Sequence, residues 1–250
     1  MEILIALLAS LAAGFINAVA GGGTLVTFPV LMALGLPPVA ANVTNTVALC
    51  PGYFGGIYAQ RKDFASQKKR LIAILPISVL GGIAGGLILL NTGEKAFNGL
   101  VPYLILLACL LLAIQVPLKK WMQSRSGKTH STLIKRVGAG SLLLLASVYG
   151  GYFGAGVSVI VIAILGLIYD DSLTRLNVLK QAISFSINIS AAIYFAFSGK
   201  VDWAFAGVMM VGAVAGGLLG GRFAGSIKPS WLRVIVIVTG CTAAVVYLVR

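Results

Sequence analysis

Long apolar segments recur along almost the whole chain, and this feature constrains the fold more than any other. Of the 250 residues, 59% are hydrophobic and only 10% are charged, and the mean hydropathy is +1.01. A soluble domain carries about 25% charged residues, and no polar block in this chain is long enough to form one. Such segments are typical of membrane-spanning helices, so the sequence predicts an all-α polytopic membrane protein.

The chain also contains an internal repeat. The glycine-rich stretch GGIAGG at 81–86 returns as GGLLGG at 216–221, an offset of 135 residues, and Asn42 corresponds to Asn177 at the same offset. Nearer the start of each copy the offset is 133, which we explain by a two-residue insertion near 169–171. A period of this size predicts two halves of one bundle. The predicted parts are a first repeat over 1–117, a basic linker over 118–136 and a second repeat over 137–250.

Each repeat contains five apolar segments. Those of the first repeat are 3–20, 24–36, 40–59, 71–90 and 99–117. Those of the second are 137–150, 157–169, 176–197, 203–221 and 231–249. At about 1.5 Å per residue, the second segment of each repeat is shorter than a hydrocarbon core of about 30 Å. We therefore predict that the first two segments form a helical hairpin, re-entrant or made of two thin crossings, and that the other three cross the membrane.

Basic loops predict how the chain is oriented in the membrane. Lys and Arg are concentrated in cytoplasmic loops, which places loops 60–70, 118–136 and 222–233 on the cytoplasmic side. Three crossings per repeat is an odd number, so the two repeats are predicted to have inverted topology, with the N- and C-termini outside. This arrangement predicts a multi-pass protein of the plasma membrane that contacts the lipid bilayer. The net charge of +13 follows from the basic cytoplasmic loops, so we do not expect a nucleic acid as a partner.

Glycines interrupt both predicted hairpins at the turn. Gly21, Gly22 and Gly23 precede Thr24 in the first hairpin, and the stretch 150–156 precedes the return segment of the second. Glycine permits positive φ and close approach of the backbone, and a helix that starts at such a turn presents free N–H groups. Two helix starts that face each other near the midplane predict an anion site. Close helix packing is the alternative, and we favour it for GGIAGG and GGLLGG.

A polar stripe follows one face of the third segment of the second repeat. Asn177, Gln181, Ser184 and Asn188 recur at spacings of four, three and four, and Lys180 lies at the edge of the stripe. Such a stripe points into the bundle or a wet cavity, although interhelical hydrogen bonds, or snorkelling in the case of Lys180, would also explain it. The predicted substrate-binding residues are Asn17, Gly21, Gly22, Gly23, Thr24, Asn42, Asn45, Thr46, Gly154, Gly156, Ser158, Asn177, Lys180, Gln181 and Ser184.

The sequence does not favour an enzyme, a metal site or a cofactor. The single histidine, His130, lies in a basic loop, and Cys50, Cys109 and Cys241 lie in apolar segments without a metal-ligand spacing. No nucleophile and base are paired, and every carboxylate lies at a loop end. The oligomeric state stays open, a homo-oligomer included.

Several stretches resemble the sulfite exporter TauE/SafE family. GFINAVAGGGTLVTFPVLMALGLPPVAANVTNTVAL is similar to the opening repeat of that family, and YGGYFGAG, LNVLKQAIS and SGKVDW are similar to its second repeat. The similarity covers nearly the whole chain. In one departure, Thr46 stands where the family commonly carries a lysine, and only Lys180 of the second repeat is kept.

The resemblance implies a membrane permease that moves sulfite, sulfonates such as sulfoacetate or other organosulfur anions, generally outward. We therefore expect a secondary carrier whose partner is a small anionic substrate, bound between the two hairpin tips and released by alternating access. An anion channel, and a membrane subunit that transports nothing itself, remain the alternatives.

Overall fold

The computed structural model describes residues 1–54, 67–125, 133–169, 171–223 and 229–249, and the described chain is all-helical, as predicted. Parts of the three predicted cytoplasmic loops lie outside these residues, as do His130 and Asp170. The helices of the first repeat are α1 (Glu2–Val19), α2 (Thr24–Ala33), α3 (Pro38–Leu49), α4 (Lys68–Thr92) and α5 (Glu94–Arg125).

The second repeat supplies five further helices among the described residues. They are α6 (Leu133–Tyr152), α7 (Val157–Ile168), α8 (Leu173–Ala196), α9 (Trp203–Phe223) and α10 (Pro229–Val249). Each return helix begins where the sequence predicts, α2 at Thr24 and α7 at Val157.

The third segment of the first repeat is interrupted by a 3-10 turn. We expect segment 40–59 to cross the membrane; α3 ends at Leu49, a single 3-10 turn follows at Cys50–Gly52, and Tyr53 and Phe54 are again helical. Pro51 supplies the reason, because proline has no N–H to donate and its ring collides with the carbonyl group four residues earlier in an α-helix. Residues 55–59 lie outside the described part of the chain.

Six of the described helical stretches are long and apolar enough to cross a membrane. They are Glu2–Val19, Lys68–Thr92, Glu94–Leu118, Arg175–Ala196, Trp203–Phe223 and Trp231–Val249. The two return helices, α2 and α7, have only 10 and 12 residues, while the outer arms α1 and α6 have 18 and 20. Each hairpin therefore joins a long helix to a short one.

The first helix of each repeat packs against the fourth helix of the other repeat. Helix α1 packs along α9, and α6 packs along α4. A methyl group at Gly82 would lie 2.6 Å from the carbonyl oxygen of Ile187, and one at Gly217 would lie 2.5 Å from that of Gly52. These two contacts are related by the offset of 135 residues with the roles of the repeats exchanged. GGIAGG and GGLLGG are thus sites of close helix packing, as predicted.

Large apolar side chains cover much of the outer surface. Ile72, Leu145 and Val211 are 72%, 65% and 66% exposed in the isolated chain. A water-soluble protein rarely exposes extended apolar area of this kind, so the surface suits contact with lipid chains. Together with the six long apolar helices, it describes a multi-pass membrane protein.

Candidate functional site

The first hairpin turns at residues 20–23, which we call tip one. Gly21 and Gly22 have φ angles of +82° and +96°. Backbone with positive φ is unfavourable for residues that carry a side chain, so glycine is the expected residue at both positions. Gly23 differs from its neighbours: its φ is −56° and it serves as the N-cap of α2. The turn itself is therefore made by two of the three glycines.

The start of α2 uses only part of its hydrogen-bonding capacity. The side-chain Oδ1 of Asn17 accepts a bond of 2.7 Å from the N–H of Gly23, and the N–H of Leu25 donates to the carbonyl oxygen of Gly22 at 3.0 Å. The N–H groups of Gly22 and Thr24 have no acceptor among the described residues. Asn17, one of the predicted substrate-binding residues, thus serves as a cap for the return helix.

The second hairpin turns at residues 153–156, which we call tip two. Gly154 and Gly156 have φ angles of +78° and +75°, so glycine is again required at the two positions predicted. The N–H groups of Ala155, Gly156 and Ser158 have no acceptor within the described chain. Tip two therefore also presents free backbone donors at the start of a helix.

Two glycines expected in this second turn lie elsewhere. Gly150 and Gly151 belong to the last turn of α6, which continues to Tyr152. A methyl group at Gly151 would collide with the backbone of Gly82 in α4. The prediction of a turn over 150–156 is therefore wrong for its first residues, because these glycines serve helix packing.

The two tips contact each other across the repeat boundary. A methyl group at Gly21 would lie 2.6 Å from the side-chain oxygen of Ser158 at the start of α7. Phe153 of tip two packs edge-on against Phe28 of α2, with ring centroids 5.4 Å apart, and both rings contact Phe97 of α5. Each hairpin therefore lies against the other.

Helix α5 supports both tips with one short stretch. A methyl group at Gly22 would lie 2.7 Å from Leu112, and one at Gly156 would lie 3.4 Å from Ala108, one turn earlier. Tyr149 steadies tip two from its own hairpin, since its hydroxyl donates to the carbonyl oxygen of Ala155 at 2.7 Å. The two turns are thus held side by side on a common wall.

Helix α3 brings its polar side chains to the same region. The amide nitrogen of Asn42 donates to the carbonyl oxygen of Tyr152, beside tip two, at 2.8 Å. Its amide oxygen is buried and has no partner among the described residues. Asn45 accepts a short bond from the hydroxyl of Thr27 in α2, and the Thr46 hydroxyl donates to the backbone of its own helix. Asn42 is therefore the residue of this set with an unused acceptor.

The polar stripe on α8 is buried, as expected of a stripe that faces the bundle. Gln181 is 4% exposed, Ser184 is fully buried with no hydrogen-bond partner within the described chain, and Asn177 is half-buried. Lys180 is only 5% exposed, which disfavours the snorkelling explanation, because a snorkelling ammonium would reach an exposed surface.

One hydrogen bond joins residues that are equivalent in the two repeats. The amide nitrogen of Asn188 donates to the hydroxyl of Tyr53 at 3.3 Å, and these residues are separated by the repeat offset of 135. The amide oxygen of Asn188 also lies close to tip two, 3.8 Å from the position of a methyl group at Gly154. The polar stripe therefore reaches from the repeat boundary to the second tip.

Two residues near tip one were not predicted from the sequence. Gln115 of α5 and Arg233 of α10 are 2% and 7% exposed. The Arg233 Nε donates to the Gln115 side-chain oxygen at 3.0 Å, and the Gln115 nitrogen donates to the carbonyl oxygen of Ala20 at 3.3 Å. Arg233 falls in the predicted basic loop 222–233. The cations of such a loop are expected to lie in solvent, so the sequence does not indicate that this arginine is buried.

A second polar cluster joins the two repeats. Arg70 of α4 forms an ion pair of 2.5 Å with Asp171, and its guanidinium lies 4.5 Å from the ring centre of Tyr169. Burial alone would raise the pKa of Asp171, but hydrogen bonds from Arg70 and from the Ser172 N–H, with the charges of Arg175 and Arg70, lower the pKa below its usual value. Asp171 belongs to the predicted insertion near 169–171.

None of this chemistry resembles a metal centre. Within the described residues, no three His, Cys, Asp or Glu side chains are grouped so that they could hold a metal ion. What converges at the two tips is a set of polar groups: backbone N–H groups, amides and hydroxyls. Such a set suits a negatively charged ligand.

Comparison with known proteins gives a consistent result. The family model described as "Sulfite exporter TauE/SafE" matches residues 6–247. The "Probable membrane transporter protein YfcA" of Escherichia coli strain K12 is 27% identical over 234 residues, which cover 93% of this chain and 84% of the relative. A "Probable membrane transporter protein" of Haemophilus influenzae is 28% identical over 238 residues, 94% of this chain and 91% of the relative.

No solved structure matches the chain. The family match extends over nearly every helix described above. Both relatives are named as probable membrane transporters, and the similarity covers most of the length of each. These findings indicate a membrane transporter and not an enzyme. The chain belongs to the sulfite exporter TauE/SafE family.

Proposed function

We propose that this protein is a secondary carrier that exports a small sulfur-containing anion, such as sulfite or an organosulfonate, across the plasma membrane. The observation that carries the proposal is the meeting of the two tips, with Gly21 against Ser158 and both turns on the same stretch of α5. The description of the family as a sulfite exporter supports the class of substrate.

The anion would bind between the tips, where backbone donors are free on both sides. Helix starts carry about half a positive charge each, and the hydroxyls of Thr24 and Ser158 lie half-buried at the two starts. Lys180 adds a buried cation on the polar stripe. The proposed contacts beyond the two tips are Asn42, Asn45, Thr46, Asn177, Lys180, Gln181 and Ser184.

Alternating access would follow from inverted topology of the repeats. Helix contacts recur with the roles of the repeats exchanged, as in Gly82 with Ile187 and Gly217 with Gly52, which supports a two-fold relation between the halves. Rocking of one half against the other would expose the site to each side in turn. Outward movement of one negative charge releases about 2.3 kcal/mol per 100 mV when the interior is negative, so export could run on the membrane potential.

Transport by purified protein in lipid vesicles tests this proposal. We expect saturable flux of sulfite or sulfoacetate that grows when the compartment they leave is made electrically negative. Unitary currents without saturation would identify a channel instead. Absence of flux, together with absence of thermal stabilisation by these anions, would contradict the carrier, because a ligand that binds the folded form raises its stability.

Two serine substitutions, one in the proposed site and one outside it, test where the anion binds. Ser184→Ala removes a buried hydroxyl that has no protein partner among the described residues, so the variant should fold normally and bind the anion about two- to tenfold more weakly, the loss expected for one hydrogen bond. Ser78→Ala is the matched control, because Ser78 is equally buried but donates to the carbonyl oxygen of Ile74. Equal anion affinity in both variants would remove Ser184 from the site.

A further inference from the structure

A buried arginine approaches tip one through a single side chain. Arg233 of α10 is 7% exposed, and its Nε donates to the side-chain oxygen of Gln115 at 3.0 Å. Gln115 is 2% exposed and donates to the carbonyl oxygen of Ala20 at 3.3 Å. Two hydrogen bonds therefore connect the guanidinium to the residue that precedes Gly21.

The packing of α5 and α10 fixes this connection. Leu112, almost one turn before Gln115, lies against Gly22 of tip one. Two turns after Arg233, a methyl group at Gly240 would lie 2.6 Å from the sulfur of Cys109 and 3.8 Å from Leu25 of α2. Helix α10 thus runs along the same face of α5 that supports the first hairpin, so Arg233 is held beside that hairpin.

The described carboxylates do not neutralise Arg233. Glu94 accepts a bond from the N–H of Val39, and Asp202 caps the start of α9. Asp171 pairs with Arg70 and Arg175, and Glu2 is exposed at the start of α1.

A guanidinium stays charged under all physiological conditions, and a buried charge is costly unless an opposite charge is near. Arg233 has five N–H donors in a planar fork that suits the oxygens of an oxyanion, and the bond to Gln115 uses one of them. The remaining donors, and a charge that none of the described carboxylates compensates, fit an anionic ligand.

We propose that Arg233, oriented by Gln115, is a binding residue for the transported oxyanion on the side of tip one. This inference rests on the proposed function, since it names a further residue of the same site. It gives the first hairpin a permanent cation, whereas repeat one carries the neutral Asn45 where repeat two carries Lys180. The ligand class is a small sulfonate-type or sulfite-type oxyanion.

Three variants in detergent and in vesicles test the inference with sulfite and sulfoacetate as probes. Arg233→Gln removes the charge and Arg233→Lys keeps it. Gln115→Glu leaves Arg233 in place but gives it a carboxylate partner. Arg222→Gln is the matched control, because it removes an exposed arginine from the end of α9.

We expect Arg233→Gln and Gln115→Glu to raise the anion concentration needed for half-maximal flux by about tenfold or more, as expected for loss of a hydrogen bond to a charged group. Arg233→Lys should recover part of that loss, and Arg222→Gln should behave as wild type. Recovery by Arg233→Lys is the decisive result, because Gln115→Glu neutralises Arg233 but also removes the bond that Gln115 donates to the carbonyl oxygen of Ala20. A loss of affinity in Gln115→Glu therefore supports the inference only together with that recovery.

Each other result has a defined meaning. If Gln115→Glu keeps wild-type anion affinity, Arg233 has only a structural role and the inference fails while the proposed function stands. If Arg233→Gln loses stabilisation by phosphatidylglycerol but keeps its affinity for sulfite, the guanidinium binds a lipid headgroup and the inference also fails. If the wild type itself neither moves nor binds these anions, the proposed function fails.

Discussion

Gly21 combines two constraints that an alanine would violate. Its φ is +82°, and a methyl group would lie 2.6 Å from the side-chain oxygen of Ser158. The backbone strain alone costs about 1–2 kcal/mol. We expect Gly21→Ala to lower the melting temperature and to weaken anion stabilisation, because the methyl group would displace the Ser158 hydroxyl from the site, as measured by thermal unfolding with and without sulfite.

Gly35 supplies the matched control for that substitution. Its φ is +94°, but a methyl group there would meet nothing within 4 Å. Gly35→Ala should therefore cost only the backbone strain and leave anion binding unchanged. Adding Ser158→Ala to Gly21→Ala should restore part of the stability, since the nearest remaining atom is the Ser158 Cβ at 3.7 Å. If Ser158→Ala restores no stability to Gly21→Ala, the contact between Gly21 and Ser158 is not the source of the loss.

The sequence predicts some residues of the site and hides others for a physical reason. A run of glycines in an apolar segment signals a turn, because helical packing rarely needs three in a row, and Gly21 and Gly22 have the expected positive φ. The bond between Gln115 and Arg233 joins residues 118 apart in the chain. It depends on the register between α5 and α10, which no local pattern encodes.

At the level of elements, the start of α2 depends on one side chain. Asn17 lies on α1 and its oxygen accepts the N–H bond of Gly23. Asn17→Ala should destabilise the protein by about 1 kcal/mol, the usual cost of losing an N-terminal cap. Asn17→Asp keeps an acceptor, so it should melt close to the wild type.

The variants Asn17→Ala and Asn17→Asp also distinguish the effect of the helix cap on stability from the effect of a negative charge on anion binding. A carboxylate at position 17 would place a negative charge at tip one, so Asn17→Asp should bind anions much more weakly than Asn17→Ala despite its greater stability. Calorimetric titration with sulfoacetate measures both affinities. Tighter anion binding by the aspartate variant would contradict a site at this helix start.

Hydrophobic periodicity and length predict most elements of the fold but not their interruptions. Both return helices begin at the predicted residues, because glycine marks their starts. Segment 40–59 was expected to cross the membrane, and its helix is interrupted after Leu49 by a 3-10 turn that contains Pro51. Hydropathy alone does not register that a proline can interrupt a helix inside an apolar run.

At the scale of the whole molecule, the insertion near 169–171 breaks the repeat and joins its halves. Asp171 pairs with Arg70 across the repeats, and hydrogen bonds and nearby charges hold its pKa below the usual value. A lowered pKa in the folded state stabilises the protein above about pH 4, the ordinary pKa of an aspartate, and the effect is lost as the pH falls through the lower folded value.

We therefore expect Asp171→Asn to melt below the wild type at pH 7, with the difference shrinking below about pH 4. Thermal unfolding of both proteins across this pH range measures the effect. Glu2→Gln, which changes an exposed carboxylate at the start of α1, should follow the wild type throughout. A difference between Asp171→Asn and wild type that persists unchanged at pH 3 would show that the ion pair is not its source.

Inverted topology makes a prediction about the whole chain that four lysine and arginine positions can test. Lys69 and Arg222 lie in predicted cytoplasmic loops, whereas Lys95 and Lys200 lie in loops predicted outside. In a background with the three native cysteines replaced, single cysteines at Lys95 and Lys200 should react with a membrane-impermeant maleimide added to intact cells. Those at Lys69 and Arg222 should react only after the membrane is opened, because three crossings per repeat reverse the second half. Labelling of Lys95 and Lys200 from opposite sides would mean that the repeats run parallel, and the two tips could not then approach from opposite leaflets.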